Sequence, residues 1–134
     1  MIKYLRLLLL PFSIVYGLVV LIRNKCYDWG WFNSQSFDLP VICVGNLAVG
    51  GSGKTPVTEY LVDLLSGYKI AILSRGYGRK TTGFIRADQN ATAETIGDEP
   101  MQYYRKFPQV TVAVCEDRVT GIKQLQADHD LILL

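Results

Sequence analysis

Beyond Pro40 the chain alternates short, continuously apolar runs with stretches whose apolar positions recur every three to four residues. "VICVGNL" (41–47), "KIAILS" (69–74), "VTVAVC" (110–115) and "DLILL" (130–134) are rich in Val, Ile and Leu and predict strands buried on both faces. Between the first two, Val57, Tyr60, Leu61, Leu64 and Leu65 fall at i, i+3, i+4, i+7 and i+8, which predicts an amphipathic helix ended by Gly67. "DEPMQYYRKF" and "DRVTGIKQLQ" predict two more helices, opened by Asp98 and Asp117 as N-caps. Strand and helix alternating in this way is the grammar of an α/β parallel sheet with right-handed crossovers and flanking helices. The longer connection "RGYGRKTTGFIRADQNATAETIG" has one short apolar piece at Phe84 and Ile85 and predicts a hairpin or excursion beside the sheet.

The first 37 residues follow a different pattern. Leu7 to Ile22 is a run of 16 uncharged residues interrupted by Pro11 and Gly17, short of the roughly 20 that a spanning helix wants. No small-x-small cleavage site follows, and "RNKCYDWGW" comes instead. Tyr27, Trp29, Trp31, Phe32 and Phe37 then supply the amphipathic rings that favour a headgroup zone. We read this segment as a helix lying in or dipping into a membrane face; a buried core helix and a true span or signal are the alternatives. Two domains are expected, a membrane-associating segment over 1–37 and an α/β domain over 38–134.

Composition narrows the class without changing this division. The 134 residues suffice for one modest core, and a 49% hydrophobic share is that of a globular chain. The net charge of +2 is uneven, because Lys3, Arg6, Arg23 and Lys25 face only Asp28 in residues 1–37, leaving +3 there and −1 in the remainder. A basic apolar head on a near-neutral body points to a membrane surface and away from nucleic acid. Cys26, Cys43 and Cys115 form no metal-binding or disulfide spacing and suit a reducing compartment, with Cys43 and Cys115 in runs that read as buried strands. His129 is expected to be structural or exposed.

The chemistry concentrates at "NLAVGGSGKTP", 46–56, which stands between a strand and a helix, the context a phosphate-binding loop requires. Ala48 replaces the first glycine of the G-x-x-x-x-G-K-[ST] pattern, while Gly50, Gly51 and Gly53 remain to turn backbone N–H groups toward an anion at the helix start. Lys54 would reach the β- and γ-phosphates and Thr55 would ligate Mg²⁺, so residues Ala48, Val49, Gly50, Gly51, Ser52, Gly53, Lys54 and Thr55 are the candidate ATP site. Pro56 in the first turn costs no helical hydrogen bond. "GDEP", 97–100, puts Asp98 and Glu99 before a helix, either as a cap and first-turn charge or as catalytic or metal-binding carboxylates. "SRGYGRK", 74–80, follows the second strand at the edge where open parallel sheets bind ligands, and is either a phosphate clasp or a solvated turn. Asp117 and Arg118 share that edge, with a plain helix start as the alternative.

"VGNLAVGGSGKTP", "LSRGYGRKTTGF" and "IGDEP", in this order behind a basic apolar head, resemble the tetraacyldisaccharide 4′-kinase family over nearly the whole chain. Many members of that family also lack glycine where Ala48 stands. The resemblance implies a P-loop kinase fold in which MgATP donates its γ-phosphoryl to the 4′-hydroxyl of an acylated disaccharide 1-phosphate in lipid A synthesis. It implies that Asp98 is the general base, that Glu99 assists Thr55 near the metal, and that Lys54 acts on the transferred phosphoryl. Arg75, Tyr77 and Arg79 become candidates for substrate contact, and the cytoplasmic face of the bacterial inner membrane becomes the expected location. The family is longer, with a second lobe and an Asp-Asp-Gly-Phe-Gln-His motif after the fourth strand. Its metal-positioning aspartate would fall at residue 135 or later, so these 134 residues alone are expected to turn over little or not at all. A membrane-associated P-loop ATPase and a non-catalytic nucleotide-binding module are the other readings.

Overall fold

The computed structural model of the chain describes residues 9–32, 34–45 and 53–134. It divides into two compact units, Met1–Ser36 and Phe37–Leu134. In the first, α1 (Leu10–Asp28) runs 19 residues, with Pro11 accommodated in its first turn, where no intrahelical N–H is needed. Gly17 does not interrupt it. Of its described residues only Cys26 is buried, while Phe12, Ile14, Val15, Tyr16, Leu18 and Leu21 are exposed. Arg23 lies over the Tyr27 ring, which meets Phe32 edge-on, and Trp29 and Trp31 pair at 6.1 Å.

The second unit is an α/β sheet of five strands: β1 (Val41–Ile42), β2 (Ile70–Ser74), β3 (Ile85–Arg86), β4 (Thr111–Val114) and β5 (Leu131–Leu133). Their spatial order is β1-β5-β2-β4-β3, with every pair parallel except β3 against β4. All four apolar runs thus become neighbouring parallel strands. From the longer connection Ile85 and Arg86 form a short antiparallel edge strand of the sheet itself, paired with β4 across α3 and α4 and so not a hairpin. Between them lie α2 (Lys54–Leu64), α3 (Ala93–Ile96), α4 (Asp98–Lys106) and α5 (Arg118–Leu125).

Alternation within the strands sorts the core into two layers. Ile70, Ile72, Val112, Leu131 and Leu133 face α2 and α4 through Val62, Tyr103 and Phe107. Ala71, Leu73, Ala113, Cys115 and Ile132 face α5 through Ile122 and Leu125. Both faces are covered by helices, so the strands are apolar apart from the end residues Ser74 and Thr111.

Three local expectations change. The buried face of α2 is Thr58, Val62 and the half-buried Leu61 and Leu65, whereas Val57, Tyr60 and Leu64 of the expected stripe are exposed. One residue of offset turns a helix by about 100°, and the stripe that begins at polar Thr58 is the one that meets the sheet. Asp98 is the first residue of α4 and not its cap; Gly97 caps the helix at φ +93°. Its conformation is needed, because a Cβ there would lie 3.0 Å from the Tyr77 carbonyl oxygen. Cys43 is exposed and lies just past β1, while Cys115 is buried as expected. Asp117 does cap α5, its carboxylate accepting from the Val119 N–H at 3.1 Å. His129 is half-buried and donates from Nδ1 to the Leu125 carbonyl at 2.7 Å, a structural contact.

Candidate active site

The carboxyl ends of β1, β2 and β5 open onto a cleft of about 660 Å³, the size range of small-molecule sites. Cys43, Val44 and Gly45 line it from the end of β1, and Ser74, Arg75 and Tyr77 from the end of β2. Lys54 and Thr58 enter from α2, Glu99 and Tyr103 from α4, and Arg118 from the first turn of α5. Chain segments far apart in sequence reach this edge because each crossover returns the chain to the same end of a parallel sheet.

Gly53 caps α2 in the left-handed conformation, φ +74°, and so starts the helix at Lys54 with the first-turn N–H groups of α2 unpaired within the helix. Thr55 sits one residue on, and its hydroxyl donates to Glu99 Oε1 at 3.0 Å. The Tyr103 hydroxyl donates to the same oxygen at 2.9 Å. Burial holds the Tyr103 phenol above its ordinary pKa, so the ring keeps its proton and remains a donor to Glu99. One helical turn further along, Glu59 accepts from Gln102 at 3.1 Å and from Lys106 at 2.6 Å. The Lys106 bond holds the Glu59 carboxyl below the usual range. Two rungs, 55 to 99 and 59 to 102 and 106, therefore tie α2 to α4 and fix Glu99 beside Thr55.

The two adjacent carboxylates part company. Glu99 faces the cleft, while Asp98 lines a separate depression with Ala93, Met101, Gln102, Arg105 and Lys106. The arginines divide as well. Arg75 lines the cleft and Tyr77 stands at it with its side 97% exposed, but the Arg79 side chain is 3% exposed and engaged by Glu116 and the Gly83 carbonyl. Arg118 joins Lys54 and Arg75 in the cleft. Burial first, and then the charge of Arg75, lowers its pKa, and its Nε has no partner among the described residues.

Of the predicted nucleotide site, Gly53, Lys54 and Thr55 are described, while Ala48, Val49, Gly50, Gly51 and Ser52 lie outside the described residues. Sequence reasoning did not single out Tyr103 or Thr58. The i, i+4 spacing of Glu99 and Tyr103 on one helix was the available signal for the first of these. Thr55 and Glu99 bring together two hard oxygen donors, a set suited to Mg²⁺, which commonly takes one or two protein oxygens and completes its shell with water and phosphate. Among the described residues no cluster of three or more His, Cys, Asp or Glu forms a self-sufficient metal cage.

A mostly parallel sheet whose cleft lies at its carboxyl edge, entered by a Lys-Thr helix start, defines an α/β domain of the mononucleotide-binding class. The model of the Tetraacyldisaccharide-1-P 4′-kinase family matches residues 5–134, and the chain belongs to that family. It is 60% identical over 126 residues to a tetraacyldisaccharide 4′-kinase of Flavobacterium johnsoniae, covering 93% of this chain and 37% of that protein. The corresponding protein of Cytophaga hutchinsonii is 51% identical over 136 residues, which cover 98% of this chain and 39% of that protein. The chain thus spans well under half the length of the curated relatives it matches. A crystal structure of LpxK from Aquifex aeolicus in complex with ATP superposes with a TM-score of 0.77 at 40% identity, covering 97% of this chain and 43% of that one.

Proposed function

We propose that this chain is the nucleotide-binding part of a lipid kinase that transfers the γ-phosphoryl of ATP to the 4′-hydroxyl of a tetraacyldisaccharide 1-phosphate, forming lipid IVA in lipid A synthesis. The observation that carries the reading is the Thr55–Glu99 contact beside Lys54 in a cleft that also receives Arg75 and Arg118. Cations on several sides of one cavity suit a polyphosphate, and the sequence 46–53 is rich in the glycines a phosphate-binding turn requires.

In this reading Lys54 would hold the terminal phosphates of ATP, and Thr55 with Glu99 would hold Mg²⁺, which would supply charge neutralisation to the phosphates. Phosphoryl transfer proceeds through a loose transition state, so orientation and charge compensation matter more than strong activation of the nucleophile. Arg75 and Arg118 supply that compensation. Asp98, one residue before Glu99, is the base for the sugar hydroxyl in this reading; it lines the neighbouring depression and not the cleft, so this role requires its side chain to turn toward the cleft when the acceptor binds. Tyr77 is the acceptor contact in this reading, which its exposure at the cleft supports. The apolar first unit associates with the membrane that holds the acceptor, on the cytoplasmic face of the inner membrane where ATP is present. Among the described residues no helix is long and apolar enough to cross a membrane.

The test is transfer of label from γ-labelled ATP to the acylated disaccharide 1-phosphate by the intact protein in detergent or vesicles. Labelled lipid is expected, with a loss on the order of a hundredfold or more for Lys54→Ala and for Asp98→Ala. Bound ATP with no labelled lipid would overturn the kinase reading in favour of a non-catalytic nucleotide module. Unchanged turnover in Asp98→Ala would leave that carboxylate as first-turn charge alone.

A further inference from the structure

Two loops deliver arginines to the cleft, and one ion pair outside it joins them. The Arg79 guanidinium donates from Nη2 to Glu116 Oε1 at 2.5 Å and to the Gly83 carbonyl at 2.7 Å. The second carboxylate oxygen of Glu116 accepts from the Gly83 N–H at 3.0 Å. Each oxygen of Glu116 therefore grips a different point of the loop that follows β2. The pair is asymmetric in exposure, with the Arg79 side chain 3% exposed and that of Glu116 53%.

On one side of the pair, the Arg79 N–H closes a turn onto the Gly76 carbonyl at 3.2 Å, and Arg75 and Tyr77 flank that glycine. Gly76 has φ +69°, and a Cβ there would meet Arg79 Cδ at 2.5 Å, so the loop backbone rests directly on the arginine stem. On the other side, Glu116 directly precedes Asp117, the cap of α5, whose first residue is Arg118. Arg75 and Arg118 are like charges converging on one cleft, and Arg118 Nε lacks a partner among the described residues. Each charge disfavours the other until an anion sits between them.

We propose that the Arg79–Glu116 pair is a positioning clamp that holds the Arg75 and Arg118 loops together against their mutual repulsion, presetting both arginines for a single phosphoryl group. Arg79 and Glu116 act through those arginines and do not touch the ligand. The identity of the phosphoryl group as that of ATP rests on the function proposed above. The clamp explains why a loop with three basic residues within six positions, Arg75, Arg79 and Lys80, commits one of them inward.

The test is a double-mutant cycle in the intact protein with ATP and the acylated disaccharide as substrates. Glu116→Gln places an amide against the guanidinium at a half-exposed position where the fold tolerates it, and thermal unfolding checks that it does. Glu116→Gln is expected to lower kcat/KM for ATP about tenfold in the parent protein, and less than about twofold when Arg118→Gln is already present. Arg79→Lys, which keeps the charge but loses the fork, is expected to show the same dependence on Arg118. A merely structural contact would cost the same factor in both backgrounds, and that additivity would overturn the proposal. Should the parent protein transfer no phosphoryl group, the kinase reading fails separately. The same cycle read as the Kd for ATP then judges the clamp, additivity again being the overturning result.

Discussion

At the scale of the residue, the cleft turns on Glu99, whose Oε1 accepts from both the Thr55 and the Tyr103 hydroxyls. Lys54 and Thr55 announce themselves because the Gly-Lys-Thr spacing carries its own chemistry, and α2 begins at Lys54. The partner of Thr55 is contributed by α4, 44 residues away, so no local pattern joins Thr55 to Glu99, whereas Tyr103, four residues from Glu99 on the same helix, was marked only by its i, i+4 spacing. The adjacent pair Asp98 and Glu99 reads as one unit along the chain, yet neighbouring residues on a helix point about 100° apart, which is why only Glu99 meets the cleft. Tyr103→Phe isolates the anchor, since the ring stays in the core and only the hydroxyl is removed. It is expected to cost about 1 kcal/mol of stability, measured by denaturant unfolding. On the function proposed above, transfer from ATP is expected to drop roughly tenfold as Glu99 loses the Tyr103 hydroxyl. A stability loss with unchanged transfer would make Tyr103 a packing residue only.

Elements were legible wherever burial is two-sided. The four parallel strands are apolar at every position except the strand ends Ser74 and Thr111, because both layers of helices demand it, and a run of that kind leaves little ambiguity. The helical face of α2 was harder to read, since two overlapping stripes exist and the one containing Thr58 is less apolar than the one containing Val57 and Tyr60. Contact with the sheet decided between them. The α5–β2 contact makes a sharper point about packing. Gly121 sits inside α5, where alanine would favour the helix by up to about 1 kcal/mol. A Cβ there would lie 2.6 and 2.8 Å from the two terminal carbons of Leu73 and 3.2 Å from Cys115 Cβ, and Leu73 is fully buried in the central strand. Overpacking of this kind costs about 1–3 kcal/mol, so the clash outweighs the propensity. Gly121→Ala is accordingly expected to lower the unfolding midpoint, by a net loss of up to about 2 kcal/mol once the propensity gain is set against the clash. A raised midpoint would mean that Leu73 finds another rotamer without strain.

For the molecule as a whole, the two units have opposite surface logic. The second hides its apolar strands beneath helices, whereas α1 leaves Ile14, Val15, Leu18 and Leu21 exposed together with Trp29 and Trp31. A helix apolar around most of its circumference calls for an apolar environment, and the +3 charge of residues 1–37 favours one whose surface is anionic. The two contributions separate experimentally, because electrostatic attraction is screened by salt and apolar insertion is not. The protein is expected to co-sediment with vesicles containing anionic phospholipid, and to lose only part of that binding at high salt. Ile14 and Leu18 lie one helical turn apart and are both exposed, so aspartate at these positions leaves the core of the second unit untouched. If both insert, losing them forfeits at least about 3 kcal/mol of apolar transfer, roughly a hundredfold in partitioning, before any repulsion from the lipid is counted. Binding that survives both substitutions and vanishes in salt would instead make the basic residues the whole attachment and leave α1 to some other apolar partner.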